Sequence, residues 1–421
     1  MQQKTELRTS KYFMELEEHF GAHNYHPLPV VLSKGEGVFL YDVEGQRYFD
    51  FLSAYSAVNQ GHCHPRIIET LIQQAKELTL TSRAFYSDQL GIYEKYITNY
   101  FGYDKVLPMN TGVEAVETAI KLCRKWSYQV KGIPINQAKI VFATGNFHGR
   151  TLGVISASND SSSTSDYGPY MPGYEIIEYN NLESLEAVMS QENVAGFIVE
   201  PIQGEAGVVV PNDDYIAQAY AICQKYQCLF IADEVQTGIA RTGKLICCEH
   251  SQVRPDILIL GKALSGGVLP VSAVLADDHI MLTIKPGEHG STFGGNPLAC
   301  AVAKTALEVV QDEDLANNAE EMGKIFRSTL LTSLKGSELV TEIRGKGLLN
   351  AIEINDAEDS STAWDLCLQL KDAGLLAKPT HGNIIRFAPP LVIARSQLEQ
   401  CCEIIATTIN NFEHGGVNAE K

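Results

Sequence analysis

No run in the 421-residue chain reaches the roughly 18 consecutive apolar residues that a membrane-spanning helix needs. The opening stretch, MQQKTELRTSKYFMELEEHF, has no apolar h-region and is not the Arg- and Ser-rich, acid-poor pattern of a transit peptide. A soluble cytoplasmic protein is therefore expected. No CxxC occurs among the ten cysteines, which are scattered apart from the vicinal pairs Cys247-Cys248 and Cys401-Cys402. In a chain of this length they read as reduced, mostly buried thiols and not as a disulfide framework. His62-Cys63-His64 lacks a second ligand pair at zinc spacing, and Pro65 after it suits a turn, so no metal is expected there. Internal repeats and low-complexity tracts are also missing, and SSSTS at 161–165 reads as a loop.

Basic residues are scarce: 33 face 51 acidic ones, for a formal net charge of −18. A field of that sign repels phosphate backbones and anionic lipid, so neither nucleic acid nor a membrane surface is an expected partner. An anionic substrate has to be held by locally placed arginines or backbone N–H groups.

What is present is an ordinary globular composition, 45% hydrophobic and 20% charged, long enough to bury a large core unaided. GVFLYDVEGQRYFDF reads as a hairpin of two β-rich runs, Val38 to Tyr41 and Arg47 to Phe51. Thr111 to Val130 reads as a helix, opened by a T-x-x-E capping box at Thr111 and Glu114. Then come KIVFAT (139–144), GFIVEPI (196–202), CLFIADEV (228–235), ILILG (257–261) and VSAVLA (271–276). They do not alternate polar with apolar, as strands covered on both faces do not, which predicts an α/β protein with a mostly parallel sheet. Tyr215 to Tyr226 suits a crossover helix. Beyond residue 300, long helices to about Leu334, strands in GKGLLNAIEI and NIIRFAPPL, and a closing helix in SQLEQCCEIIATTI suggest a smaller α+β unit.

Asp233 and Lys262 each stand at or just past the C-terminal end of an apolar run, where open α/β sheets gather their ligands. A lysine desolvated there becomes a usable nucleophile or base, and an ionised aspartate can pair with a protonated ring nitrogen. Together they make the protein half of pyridoxal phosphate (PLP) chemistry. The helix start at NTGVEAVETA offers N–H groups for a phosphate, with Gly112 permitting close approach. GIARTGK (238–244) imitates a P-loop, but Leu245 replaces the Ser or Thr that would hold Mg²⁺.

These segments, with NYHPLPV, SAYSAVNQGHCHP, SRAFY, FHGRT, VEPIQGEAGVVVP, KPGEHGSTFGGNP and RGKGLLNA, make the chain resemble the class-III aminotransferases, from about His23 to the C-terminal helix. The resemblance implies PLP-dependent transferase fold type I, with residues 56–300 as the large PLP-binding domain. Residues 1–55 and 301–421 would form the smaller lobe. It implies that Lys262 forms the Schiff base and shuttles protons, that Asp233 pairs with the ring nitrogen, and that Gln236 reaches the phenolic oxygen. Phe147 would stack on the ring, and Gly112 and Val113 would bind the phosphate. Thr292 would reach the cofactor of a second subunit, making a homodimer with shared sites.

For substrate, the resemblance implies ornithine with 2-oxoglutarate and glutamate. Arg150 and Tyr25 take the distal carboxylate, Arg386 takes the one near the reaction centre, and Tyr55 narrows the pocket. With ornithine bound, Arg386 has no carboxylate, and a buried unpaired charge costs several kcal/mol, so a local anion is required. The resemblance implies that Glu205 would fill that part and swing aside for glutamate or 2-oxoglutarate. Two positions depart from the pattern: His148, where some ornithine enzymes carry a bulkier aromatic, and Val116, where a small residue is expected. Donors such as N-acetylornithine or 4-aminobutyrate, and a non-catalytic binding protein on the same fold, are the competing readings.

Overall fold

The computed structural model describes residues 9–415. Fifteen strands lie in these residues: β1 Leu32–Glu36, β2 Phe39–Asp42, β3 Arg47–Asp50, β4 Lys105–Met109, β5 Lys139–Ala143, β6 Tyr174–Ile177, β7 Val194–Val199, β8 Leu229–Asp233, β9 Ile257–Leu260, β10 Ser272–Ala276, β11 Val340–Lys346, β12 Leu349–Ile354, β13 Leu375–Leu376, β14 Lys378–Thr380 and β15 Ile384–Phe387.

Seven of them make the central sheet, in the order β4-β10-β9-β8-β7-β5-β6. The pairs β9 to β8, β8 to β7, β7 to β5 and β5 to β6 are parallel, and β10 alone runs against its neighbours. The sheet is thus mostly parallel, as the unbroken apolar runs predict. Its strands are apolar throughout because they are covered twice. Ile140 and Phe142 of β5 pack with Ile198 and Ile231 on one face, while Val141 packs with Phe197 and Phe230 on the other. Two strands of this sheet were not evident from the sequence. β4 is short and holds Pro108, which an edge strand tolerates, and β6 has a partly exposed pattern at the opposite edge.

The helix Gly112–Trp126 starts at the capping box formed by Thr111 and Glu114 and continues as a π-helical turn, Ser127–Lys131. Its buried face carries Ala115, Ala119, Leu122 and Cys123. The crossover helix is Tyr215–Lys225, and the later helices are Pro297–Asp312, Leu315–Ser333 and Arg395–Gly415. A further helix, Ser10–Phe20, lies in the mixed N-terminal stretch and buries none of its residues.

Two smaller sheets complete the fold. One, β1-β2-β3-β13, joins the N-terminal hairpin to a strand from the C-terminal part, since β13 pairs parallel with β3. The other, β11-β12-β15-β14, is antiparallel. SSSTS proves to be a short helix, Ser161–Thr164, and not a loop: the Asp160 carboxylate accepts from Ser162 N–H and fixes its start. Residues 1–8 and 416–421, the outer ends of the expected smaller lobe, lie outside the described residues.

Of the ten free cysteines, Cys63 alone is exposed. His62 and His64 are each paired with a carboxylate, Asp50 at 2.7 Å and Glu313 at 2.8 Å. No described helix is long and apolar enough to cross a membrane.

Candidate active site

The chain turns back on the sheet between β5 and β7: β6 lies on one side of β5 and β7 on the other. Such a reversal opens a crevice at the carboxyl ends of the strands. Four strand ends deliver side chains to it. Phe147 and His148 follow β5, Glu200 follows β7, Asp233 closes β8, and Lys262 comes two residues after β9. A cavity of about 240 Å³ between them is lined by Gly112, Val113, Phe147, Asp233, Gln236 and Lys262, among others. Val116 and His148, the two departures from the family pattern, line the same space.

Asp233 is 5% exposed. One of its carboxylate oxygens accepts from Val235 N–H at 3.1 Å, and the other meets His148 Nδ1 at 2.6 Å. Burial alone would lower the His148 pKa, but the hydrogen bond and charge of Asp233 outweigh it and raise the value above that of an ordinary histidine. Glu200 stands beside this pair and accepts from Phe147 N–H at 2.8 Å. Burial raises its pKa well above the carboxylate range, against the pull of His148. Neither His148 nor Glu200 was a candidate on sequence. Glu200 closes a buried run in the same way as Asp233, and that shared position was the available signal.

Lys262 opens a 3-10 turn with φ of 46°, a conformation L-residues seldom adopt. Its Nζ makes no hydrogen bond among the described residues. Burial pulls its pKa down from 10.5 to about 8, partly opposed by Glu205 and Asp233. The result is an amine that gives up its proton well below the pH an ordinary lysine requires. The helix N-terminus at Gly112 borders the same cavity and a second one of about 380 Å³ that also touches Lys262. A Cβ on Gly112 would stand 3.0 Å from Val235 Cγ1, so this approach is close. Gly149, with φ of 126°, leaves room for Val113: a Cβ there would fall 2.5 Å from Val113 Cγ2.

Beyond Lys262 lies a second charged group. Arg386, on β15, is 2% exposed. Its Nη1 donates to Glu205 Oε1 at 3.0 Å, Gln236 Oε1 at 2.9 Å and the Gly204 carbonyl at 3.3 Å, and its guanidinium lies 4.6 Å from the Tyr55 ring centroid. Gln236 Nε2 donates to Glu205 at 3.1 Å, so both ends of its amide serve this pair. Arg386 draws the Glu205 pKa below the usual carboxylate range despite burial.

The remaining candidates stand further out. Arg150 is exposed, with its guanidinium 5.3 Å from the Phe147 ring centroid and Nη1 donating to Ser163 Oγ at 3.2 Å. Tyr25 is 72% exposed, yet close enough to Tyr55 to bear on its ionisation. Thr292 is exposed, while Ser291 beside it accepts from Asn110 Nδ2 at 2.7 Å.

The arrangement suits a flat, anionic ring compound. It offers a carboxylate for a protonated ring nitrogen, an aromatic wall, a helix start for a phosphate, and an unpartnered amine of lowered pKa. The same groups are what pyridoxal phosphate requires.

The Aminotransferase class-III family matches residues 20–409. The mitochondrial ornithine aminotransferase of Drosophila melanogaster is 64% identical over 93% of this chain and 90% of its own length. That of Rattus norvegicus is 60% identical over 96% and 91%. Among solved structures, the ornithine aminotransferase of Toxoplasma gondii superposes with a TM-score of 0.95 at 46% identity, over 97% of this chain and 96% of that one. The acetylornithine aminotransferase of Elizabethkingia anophelis gives 0.89 at 61% identity, over 96% and 99%.

Proposed function

The chain belongs to the class-III aminotransferases, and on that premise we propose that it moves the δ-amino group of L-ornithine to 2-oxoglutarate. The products are L-glutamate and L-glutamate 5-semialdehyde, which cyclises to pyrroline-5-carboxylate. Pyridoxal 5′-phosphate is the family's cofactor; when bound, it supplies an aldehyde for amine exchange and a ring that accepts electrons.

Lys262 would hold the cofactor at rest and, once released by the incoming amine, would serve as the base that moves the proton, a task its lowered pKa favours. Asp233, steadied by His148, would keep the ring nitrogen protonated. Gly112 and Val113, which line the cavity, would offer N–H groups to the phosphate, and Phe147 would pack against the ring. Gln236 gives one amide N–H to Glu205, and the other would serve the phenolic oxygen. Thr292 completes the site of a second copy, so the working unit is a homodimer.

The observation that carries the substrate is the Glu205–Arg386 pair at 3.0 Å. Ornithine reacts through an amine far from its carboxylate, so Arg386 needs an anion from the protein, and Glu205 is that anion. Glutamate brings its own carboxylate, and Glu205 gives way. Arg150 and Tyr25 take ornithine's distal carboxylate, and Tyr55 limits the width between. A second reading, N-acetylornithine as donor, is supported by the 61% identity to the Elizabethkingia protein. Purified holoenzyme offered ornithine, N-acetylornithine and 4-aminobutyrate with 2-oxoglutarate separates the two. Ornithine is expected to give the highest kcat/KM, and a clear preference for the acetylated donor would overturn the assignment.

A further inference from the structure

Between β3 and the helix Pro65–Glu77 the backbone makes a turn of the wrong hand. Ser53, Ala54, Tyr55 and Ser56 have φ of 48°, 46°, 60° and 70°, and none is glycine. L-residues avoid this region because Cβ crowds the carbonyl oxygen, and where it occurs it is ordinarily a single residue. A run of four persists only if its surroundings impose it.

The surroundings do so from both ends. Asp50, the buried last residue of β3, accepts from Leu52 N–H at 2.8 Å and Ser53 N–H at 2.9 Å through one carboxylate oxygen. Its other oxygen meets His62 Nε2 at 2.7 Å. His62 is fixed in turn by two backbone bonds with Gly37, at 3.0 and 2.8 Å. Downstream, the N–H groups of Ala57 and Val58 both reach the Ser53 carbonyl, at 2.9 and 3.1 Å. The hydroxyls of Ser53 and Ser56 are buried without partners. Backbone and Asp50, and not the turn's own side chains, hold it.

The turn carries Tyr55, whose ring covers the Arg386 guanidinium. Reversing the hand reverses the sense in which successive side chains wind, and Tyr55 would then leave Arg386. We propose that the left-handed turn Ser53–Ser56, anchored by Asp50 and His62, is a positioning element for donor selectivity. It keeps an aromatic face on Arg386 during the half-reaction in which no substrate carboxylate reaches that arginine. The inference rests on the function proposed above. A cation on an aromatic face corresponds to a factor of about 2 where exposed and about 30 where desolvated. Losing it should slow the ω-amine half-reaction by that order and the glutamate half-reaction less.

Ala54 is exposed, which makes it the place to test the turn. Holoenzyme carrying Ala54→Gly, relieved of one left-handed L-residue, should melt at or above the wild-type Tm with an unchanged ratio of kcat/KM for ornithine over glutamate. Ala54→Val places a β-branched residue there, and its ratio should fall about threefold or more. His62→Leu removes the partner of Asp50 and should shift the ratio in the same direction, which keeps the test open if Ala54→Val does not fold. A lowered Tm in Ala54→Gly would overturn the proposal. So would an unchanged ratio in folded Ala54→Val or His62→Leu protein. A wild-type enzyme that ignores ornithine overturns the function reading instead; the ratio is then taken with whichever ω-amine it accepts.

Discussion

Replacing Lys262 with methionine in cofactor-free protein should make the fold more stable, and by an amount that depends on pH. The wild-type amine has its pKa depressed from 10.5 to about 8 by burial. Below pH 8 it is charged in both folded and unfolded chains, and the folded state bears the full cost of that buried charge. At 1.36 kcal/mol for each pKa unit the cost is about 3 kcal/mol. Between about pH 8 and 10.5 the folded protein binds fewer protons than the unfolded one, so wild-type stability climbs with pH and the penalty fades. Methionine has no proton to lose. Urea unfolding of both proteins across this range isolates the contribution of the amine together with its coupling to Glu200 and Glu205, whose pKa values its charge lowers, because groups remote from the cleft cancel in the difference. The advantage of Lys262→Met should be about 3 kcal/mol at pH 7 and shrink by about 2 kcal/mol at pH 9.5. A difference that stays flat with pH, or grows, would refute a depressed lysine and with it the poised amine.

Two other substitutions probe the rest of the cleft. Glu205→Gln leaves Arg386 a neutral acceptor, so the ornithine half-reaction should slow by about tenfold or more while the glutamate half-reaction holds, as rapid mixing with each donor would record. Equal losses with both donors would count against the gate. Gly149→Ala pushes a methyl group to 2.5 Å from Val113 Cγ2 at a φ of 126°. It should cost about 1–3 kcal/mol in urea unfolding and loosen cofactor retention, and an unaltered midpoint would contradict the packing at the helix start.

How far the sequence reached depended on the kind of signal. Asp233 and Lys262 were legible because unbroken apolar runs mark buried strands, and polar residues at their ends stand out. The capping box was legible because its chemistry is local: Thr111 and Glu114 satisfy each other's backbone within three residues. Tertiary features were not. The pairing of Arg386 with Glu205 spans 181 residues, and only resemblance to a family suggested it. His148 read as a departure from pattern, whereas its bond to Asp233 makes it part of the site. The turn at Ser53 was invisible for a physical reason: left-handed backbone is ordinarily announced by glycine, and here serine, alanine and tyrosine adopt it under constraint from Asp50.

The parallel pairing of β13 with β3 sets Leu376 opposite Asp50, 326 residues earlier in the chain. On a ribosome adding about 5–20 residues per second, the N-terminal hairpin therefore waits about 15 to 65 seconds for its last neighbour. Until that neighbour emerges, β3 is an open edge able to recruit a foreign strand. Asp50 meets Leu52, Ser53 and His62 early, but Arg386, on which the Tyr55 ring rests, is made later still, so newly made chains should pass through a stage in which the sheet around Lys262 is already built while the Arg386 end of the cleft is not.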